Sequence, residues 1–353
     1  MSRSTAVKAA LLPAAVAILV AALVGDLLIL SFGETPRAVY RLLLEGTWGN
    51  AYGLGQVLYK ATTLTFTGLA VAIGLRAGLF NVGAESQLAA GGFVAALVGL
   101  VLPPGLSSLL TLPVYVVAAA LGGAVAGGIP GALKARFGAH EVITTIMLNF
   151  VILALLNYLT VEYLKVPGSL HTREIQSGAL PRLSRFVAAF HGSAANLVIV
   201  IAIVAALVVG WYLFRTRPGF ELRATGLQPL AAEYGGVNVG TVWWRTLALS
   251  GALAGIGGLN FVLGYKHYYE DGFASGAGFL GIAVAIVGRN HPLGVVLAAL
   301  AFATISQGGL AVNAIVPKQM VEVLQAVVII AVAASVPEVR RILRAESGAG
   351  RKR

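Results

Sequence analysis

The chain has 353 residues, of which 58% are hydrophobic and only 11% are charged. A soluble domain carries about 25% charged residues, so this balance excludes a soluble globular protein and points to apolar runs that cross a bilayer. The net charge of +11 comes from basic residues set singly between apolar runs and from a C-terminal cluster, a positive-inside pattern rather than a nucleic-acid-binding one, and the absence of cysteine excludes disulfides and thiolate chemistry.

In hydrocarbon every backbone group must be paired internally, so the apolar runs are helices; a barrel would need polar residues alternating along every segment. The expected fold is an all-α polytopic membrane bundle of about ten helices, some of them short or broken. It is read as a single membrane domain over 1–353, with a first helix at 9–32, a core at 61–336 and a basic tail at 337–353.

The first run, 9–32, is longer than the roughly 7–15 residues of a signal-peptide core, so it reads as an uncleaved helix with Asp26 inside it. Thr35 and Pro36 then open a short interfacial helix, with Thr35 as cap. The next helix, 61–75, is short for a span of about 20 residues. It leads into RAGLFNVGAESQLAAG, residues 76–91. Here Asn81, Glu85, Ser86 and Gln87 sit beside Gly78 and Gly83 in apolar surroundings. Glycine releases the backbone from helical geometry, and polar groups in a membrane are costly unless they face a cavity or a partner. The stretch reads either as a break where something polar passes or binds, or as a tight turn at the membrane surface.

A helix at 86–102 is followed by one at 112–133, which carries Gly123, Gly127 and Gly131 at the four-residue spacing that lets another helix approach closely. In the helix at 142–161, Thr145 and Asn149 share a face, with Thr144 and Asn157 nearby. Singly these polar residues read as helix–helix hydrogen bonds, and together as the lining of a conduit. Residues 162–195 form a polar loop, 196–214 a helix, and 215–245 a second extramembrane segment with Arg215, Arg217, Arg223 and Arg245. Gly251 and Gly255 mark another close-packing helix at 246–264. An interfacial KHYYEDG, a short apolar piece at 279–287, and helices at 293–310 and 321–336 complete the chain. Gly68-Leu-Ala-Val-Ala-Ile73 is echoed by Gly281-Ile-Ala-Val-Ala-Ile286, each followed by arginine (Arg76, Arg289) at the same offset. Paired broken segments of this kind point to a transporter's central site. The distribution of Lys and Arg places both termini on the cytoplasmic side.

No GxxxxGK[ST] phosphate loop occurs, so the chain does not hydrolyse ATP by that route. His140-Glu141 begins like HExxH, but Thr144 stands where the second histidine belongs. The five histidines have no ligand spacing. Neither a metal nor a cofactor nor an enzymatic activity is expected.

Four stretches in order, GLFNVGAESQ (78–87), EVITTIMLN (141–149), GLQPLAAEYGGV (226–237) and GIAVAIVGRNHPLG (281–294), resemble the permease subunits of bacterial ABC importers of the branched-chain amino acid/simple sugar type, in the nucleoside and simple-sugar branch. The resemblance covers about 52–309, and departs from the family at Ser86 and His140. It implies import of a small polar solute, a nucleoside or simple sugar. It also implies an ABC ATPase with two nucleotide-binding domains, a second permease (paralogous or identical), an extracytoplasmic substrate-binding lipoprotein contacting 162–195, and a bacterial plasma membrane with its lipid; no nucleic acid is involved. The loop 215–245 would dock on the ATPase through Ala231, Ala232, Glu233, Gly235 and Gly236, a run similar to a short coupling helix followed by a glycine turn. The substrate path would use Asn81, Glu85, Gln87, Thr145 and Asn149, unless Glu85 sits at the cytoplasmic end paired with Arg76. The competing reading is an ion-coupled secondary transporter. It needs buried carboxylates, for which only Asp26 and Glu322 qualify, both in terminal helices.

Overall fold

A computed structural model describes residues 19–331, with 21, 314, 318, 320, 321, 324 and 328 left out. The start of the expected first helix, half of the expected last helix and the basic tail lie outside the described residues. Two compact units are distinguished: residues 54–303, and the two chain ends, 1–53 with 304–353.

The described residues are largely helical, with no strand among them. In chain order come α1 (Ala22–Ser31), α2 (Pro36–Glu45), α3 (Ala51–Arg76), α4 (Ala84–Val101), α5 (Ser108–Phe137) and α6 (Glu141–Leu159). They are followed by α7 (Val198–Arg215), α8 (Arg217–Leu227), α9 (Pro229–Tyr234), α10 (Val239–Gly257), α11 (Leu259–Val262), α12 (Ala277–Val287) and α13 (Pro292–Val312). Six of the described helices are long and apolar enough to cross a membrane: α3, α4, α5, α6 with its π-helical extension to Leu164, α7 and α13.

Three expectations are corrected. The second helix is not short: α3 runs for 26 residues, about 39 Å at the α-helical rise. Lys60, just before the expected start at 61, lies inside α3. The segment 215–245 is helical well beyond the short coupling helix expected at 231–236: α8 and α9 fill it and residues 239–245 are the first turns of α10. Thr35 precedes α2, but its side chain makes no capping hydrogen bond. At α5 and α10 the caps are those the local residues favour. Ser107 Oγ accepts from the Leu109 amide at 3.3 Å and Asn238 Oδ1 from the Thr241 amide at 2.9 Å, and Gly138 ends α5 in the left-handed region.

The two glycine series meet. A Cβ on Gly123 would collide with the Gly251 carbonyl, one on Gly127 with the Leu247 carbonyl, and one on Gly255 with the Ala119 carbonyl. Gly91 of α4 abuts Gly255 in the same way. α4, α5 and α10 therefore touch backbone to backbone, the arrangement that replaces a hydrophobic drive when the solvent is lipid. The echoed segments also meet, since Cβ atoms on Gly68 and Gly281 would lie 2.7 Å from Val284 and 2.6 Å from Thr67. Thr67 Oγ1 donates to the Ala277 carbonyl at 3.0 Å across the same contact.

The loop after α6 is irregular but anchored. Thr172, Ile175 and Leu180 amides donate to the carbonyls of Tyr269, His267 and Leu263 at 2.9, 2.7 and 3.1 Å, and the buried Tyr115 hydroxyl donates to Ser177 O at 2.9 Å. In the unit of the chain ends, Ile29, Val39, Val312 and Val316 form a small apolar cluster.

Gly251→Ala forces a methyl against the Gly123 backbone and is expected to cost about 1–3 kcal/mol. Gly128→Ala, whose new methyl meets nothing nearer than 3.7 Å, is expected to be neutral. Thermal unfolding of the two variants in detergent checks this. Equal loss in both would mean that close approach is not what holds the seam.

Candidate functional site

α3 ends at Arg76 and α4 begins at Ala84, so 77–83 is a break between two membrane-length helices. Gly78 takes φ +73, which glycine adopts without strain, and the Leu79 amide folds back to the Gly74 carbonyl at 2.9 Å. The start of α4 leaves backbone N–H groups without helical partners, and buried side chains supply them. Asn81 Oδ1 accepts from the Gly83 amide at 2.9 Å, and Asn149 Oδ1 from the Ser86 amide at 3.1 Å. Asn149 Nδ2 donates to the Val82 carbonyl at 2.9 Å, while Thr145 Oγ1 accepts from the Val82 amide at 3.3 Å and donates to Glu141 O at 2.7 Å. The Asn81 and Gln87 carboxamides pair reciprocally at 2.8 and 3.1 Å. Asn81 Nδ2 also reaches Ser250 Oγ on α10 at 2.7 Å, and Ser250 in turn donates to the Ala70 carbonyl at 2.6 Å.

Asn81, Gln87, Thr145 and Asn149 thus come together in one buried network, Asn81 with no exposed surface at all. Their polar atoms hold the break in shape. Glu85 points elsewhere. Its Oε1 accepts from the Gly276 amide at 2.7 Å and its Oε2 from the Gly278 amide at 2.6 Å. A carboxylate from α4 therefore caps the N-terminus of α12, where the helix dipole favours negative charge. The pairing of Glu85 with Arg76 does not occur. Arg76 Nε donates instead to the Asn290 carbonyl at 2.9 Å, and its guanidinium lies over the Phe214 ring.

Glu85 also lines a cavity of about 310 Å³, together with Ala89, Leu153, Asn157, Asp271 and Phe273. Asn157 Nδ2 donates to Asp271 Oδ2 at 2.5 Å. Along α6, Thr145 and Asn149 hold the break, and Asn157 meets the cavity two turns beyond Asn149, about 12 Å further along the axis. None of the residues lining the cavity is basic. Asp271 escaped notice in the sequence because it belongs to the aromatic, interface-like run at 266–272. The i, i+4 stripe of Asn149, Leu153 and Asn157 was the signal available for the rest.

At the other polar segment, Ala232 is buried while Ala231, Glu233, Gly235 and Gly236 are exposed. Gly236 takes φ +84 and its amide closes on the Glu233 carbonyl at 2.9 Å, which ends α9 sharply. Leu227, Leu230 and Tyr234 are 86%, 65% and 94% exposed. Three large apolar side chains are thus exposed on and beside this short helix. Of the carboxylates that an ion-coupled transporter would use, Asp26 already accepts the Tyr40 hydroxyl at 2.8 Å. Burial, with this bond in second place, pushes the Tyr40 phenol up to about 12.

The sequence profile described as "Branched-chain amino acid transport system / permease component" matches residues 53–333. The guanosine ABC transporter permease protein of Bacillus subtilis is 34% identical over 328 residues, covering 91% of this chain and 92% of the relative. The nucleoside ABC transporter permease protein of Lactococcus lactis is 33% identical over 325 residues, 90% and 89% of the two chains. The glucose ABC transporter permease protein of Haloferax volcanii is 34% identical over 327 residues, 89% and 84%. No solved structure matches. With that profile spanning most of the chain and relatives aligned nearly end to end, this multi-pass membrane protein belongs to the branched-chain amino acid transport system permease family.

Proposed function

We propose that the chain is the membrane permease of an ATP-driven importer that carries a nucleoside or simple sugar, held in the cavity beside Glu85, into the cytoplasm of a prokaryotic cell. The observation that carries the reading of the solute is the chemistry of that cavity. Asn157, Asp271 and Glu85 offer amide and carboxylate oxygens, which accept hydrogen bonds from hydroxyl groups. With no basic residue in the lining, an anionic solute, or the carboxylate of a free amino acid, would meet two carboxylates and no counter-charge. A neutral polyhydroxylated solute suits it better. Relatives named for guanosine, nucleosides and glucose support the same choice.

In this reading Asn81, Gln87, Thr145 and Asn149 serve the path by fixing the break, and Glu85 serves it by facing the solute. The exposed end of α8–α9, with Ala231, Ala232, Glu233, Gly235 and Gly236, docks on an ABC ATPase carrying two nucleotide-binding domains. The remaining partners are a second permease, identical or paralogous, and an extracytoplasmic substrate-binding lipoprotein that meets the anchored loop at 162–195. Both termini face the cytoplasm and the host membrane is the plasma membrane.

In cells expressing the whole transporter, uptake of radiolabelled guanosine is expected to be saturable and blocked by vanadate. Uptake that survives vanadate and collapses with a protonophore would favour the ion-coupled reading instead. Glu85→Gln and Asp271→Asn each weaken a charged acceptor and are expected to lower uptake about tenfold or more at unchanged protein level. Full uptake in both variants would remove the cavity from the path. Asn149→Ala orphans the Ser86 amide and the Val82 carbonyl, and is expected to cost about 1–3 kcal/mol of stability. Its loss of uptake should therefore follow the loss of folded protein on a detergent melting curve. An unchanged melt would contradict the bracing role.

A further inference from the structure

The segment that would receive the ATPase and the break that shapes the cavity are joined by one aromatic side chain. Phe214, at the end of α7, lies under two guanidinium groups, Arg76 from α3 and Arg223 from α8, each 5.5 Å from its ring centroid. The His291 ring stacks on it at 5.4 Å and 24°. Arg223 Nε donates to the Leu213 carbonyl at 2.9 Å, and Arg76 Nε to the Asn290 carbonyl at 2.9 Å. Among the described residues neither guanidinium has a carboxylate within ion-pair distance. The ring is thus what two like charges share.

The same junction is tied through backbone. A Cβ on Gly226, near the end of α8, would collide with the Arg76 carbonyl, and one on Gly78 would lie 3.3 Å from the Gly226 Cα. α8 therefore seats directly on the first broken turn. In the second broken turn, 288–291, Arg289 and Asn290 hold φ of +54 and +52, the left-handed region that asparagine tolerates and arginine rarely adopts. Asn290 Oδ1 and the fully buried Thr225 Oγ1 are without hydrogen-bond partners. Left-handed backbone and two unpaired polar atoms thus gather where the two turns and α8 meet.

We propose that Phe214 is the positioning residue that couples α8–α9 to both broken turns, so that displacement of α8 by the ATPase moves 77–83 and 288–291 together. This rests on the importer reading given above. The echoed segments 68–73 and 281–286 each lead past an arginine to a break, and Arg76, the last residue of α3, reaches the Asn290 carbonyl of the second turn beside the Phe214 ring.

The test uses the whole transporter, co-expressed and reconstituted in proteoliposomes, with ATP hydrolysis and radiolabelled guanosine uptake read together. Phe214→Ala is expected to leave hydrolysis within about twofold of the parent while uptake per ATP falls about tenfold. Phe214→Trp, which keeps a ring for the cations, should restore the ratio. Arg223→Gln should lower it by a smaller factor, and it stands in for Phe214→Ala if that variant does not assemble. An unchanged ratio in the variant that assembles, or hydrolysis and uptake falling in proportion, overturns the proposal. A parent complex that moves no guanosine contradicts the solute reading alone. Coupling is then read in the cysteine-free chain from maleimide labelling of Phe80→Cys with and without ATP and vanadate. The labelling rate should change in the parent and stay constant once Phe214 is replaced, and a change in both overturns the proposal.

Discussion

A backbone that leaves the helix inside an apolar protein must find new partners for its amides and carbonyls. That single requirement organises the molecule. Residues 77–83 meet it with side chains that are themselves buried: Asn149 takes one amide and one carbonyl, Thr145 another amide, and Asn81 the Gly83 amide while also locking onto Gln87 and Ser250. Each of these groups contributes twice, by satisfying the break and by tying α4 to α6 or α10. A network so fully paired is rigid, and rigidity here has a use. It fixes where α4 starts, and therefore where Glu85, one residue into that helix, faces α12 and the cavity.

The glycine seam provides the frame on which this rests. Backbone contact among α4, α5 and α10 leaves no space for side chains to slide past one another. In the importer reading, motion falls to elements outside the seam, α8 and α9, which carry the braced turn 77–83 as one unit and 288–291 with it. The division suits a protein whose work is to change access to a cavity without dissolving the helices that line it.

Much of this was legible in the sequence, and the limits were physical. The glycine repeats at 123–131 and 251–255 announced close packing, and the polar cluster at 81–87 announced a broken segment. Periodicity cannot say which way an amide points, so the sequence left helix–helix hydrogen bonds and a lined path both open for these polar residues, and the structure shows the bonds that Asn81, Gln87, Thr145 and Asn149 make. Asp271 was hidden because its partner Asn157 lies 114 positions away. The length of α3 was missed because Lys60 looks like a terminus in a hydropathy reading, and a helix that buries much of its surface in protein need not be apolar throughout. The extent of helix in 215–245 was obscured by its arginines: Arg223 lies over Phe214 and reaches the Leu213 carbonyl, while the exposed Arg217 pairs with Glu221 along α8.

The central claim is that the braced break presents one face of α4 to a solute and the opposite face to the seam. Ala89 lines the cavity, whereas the carbonyl of its neighbour Ala90 packs against Gly122 of α5. The chain has no cysteine of its own, so a single introduced thiol reports its position without ambiguity. Labelling Ala89→Cys and Ala90→Cys in the assembled transporter with a small water-soluble thiol reagent, in the presence and absence of guanosine, tests the claim directly. The account predicts that position 89 reacts and is protected by guanosine while position 90 stays inert. Reaction and protection at 90 with none at 89 would contradict it.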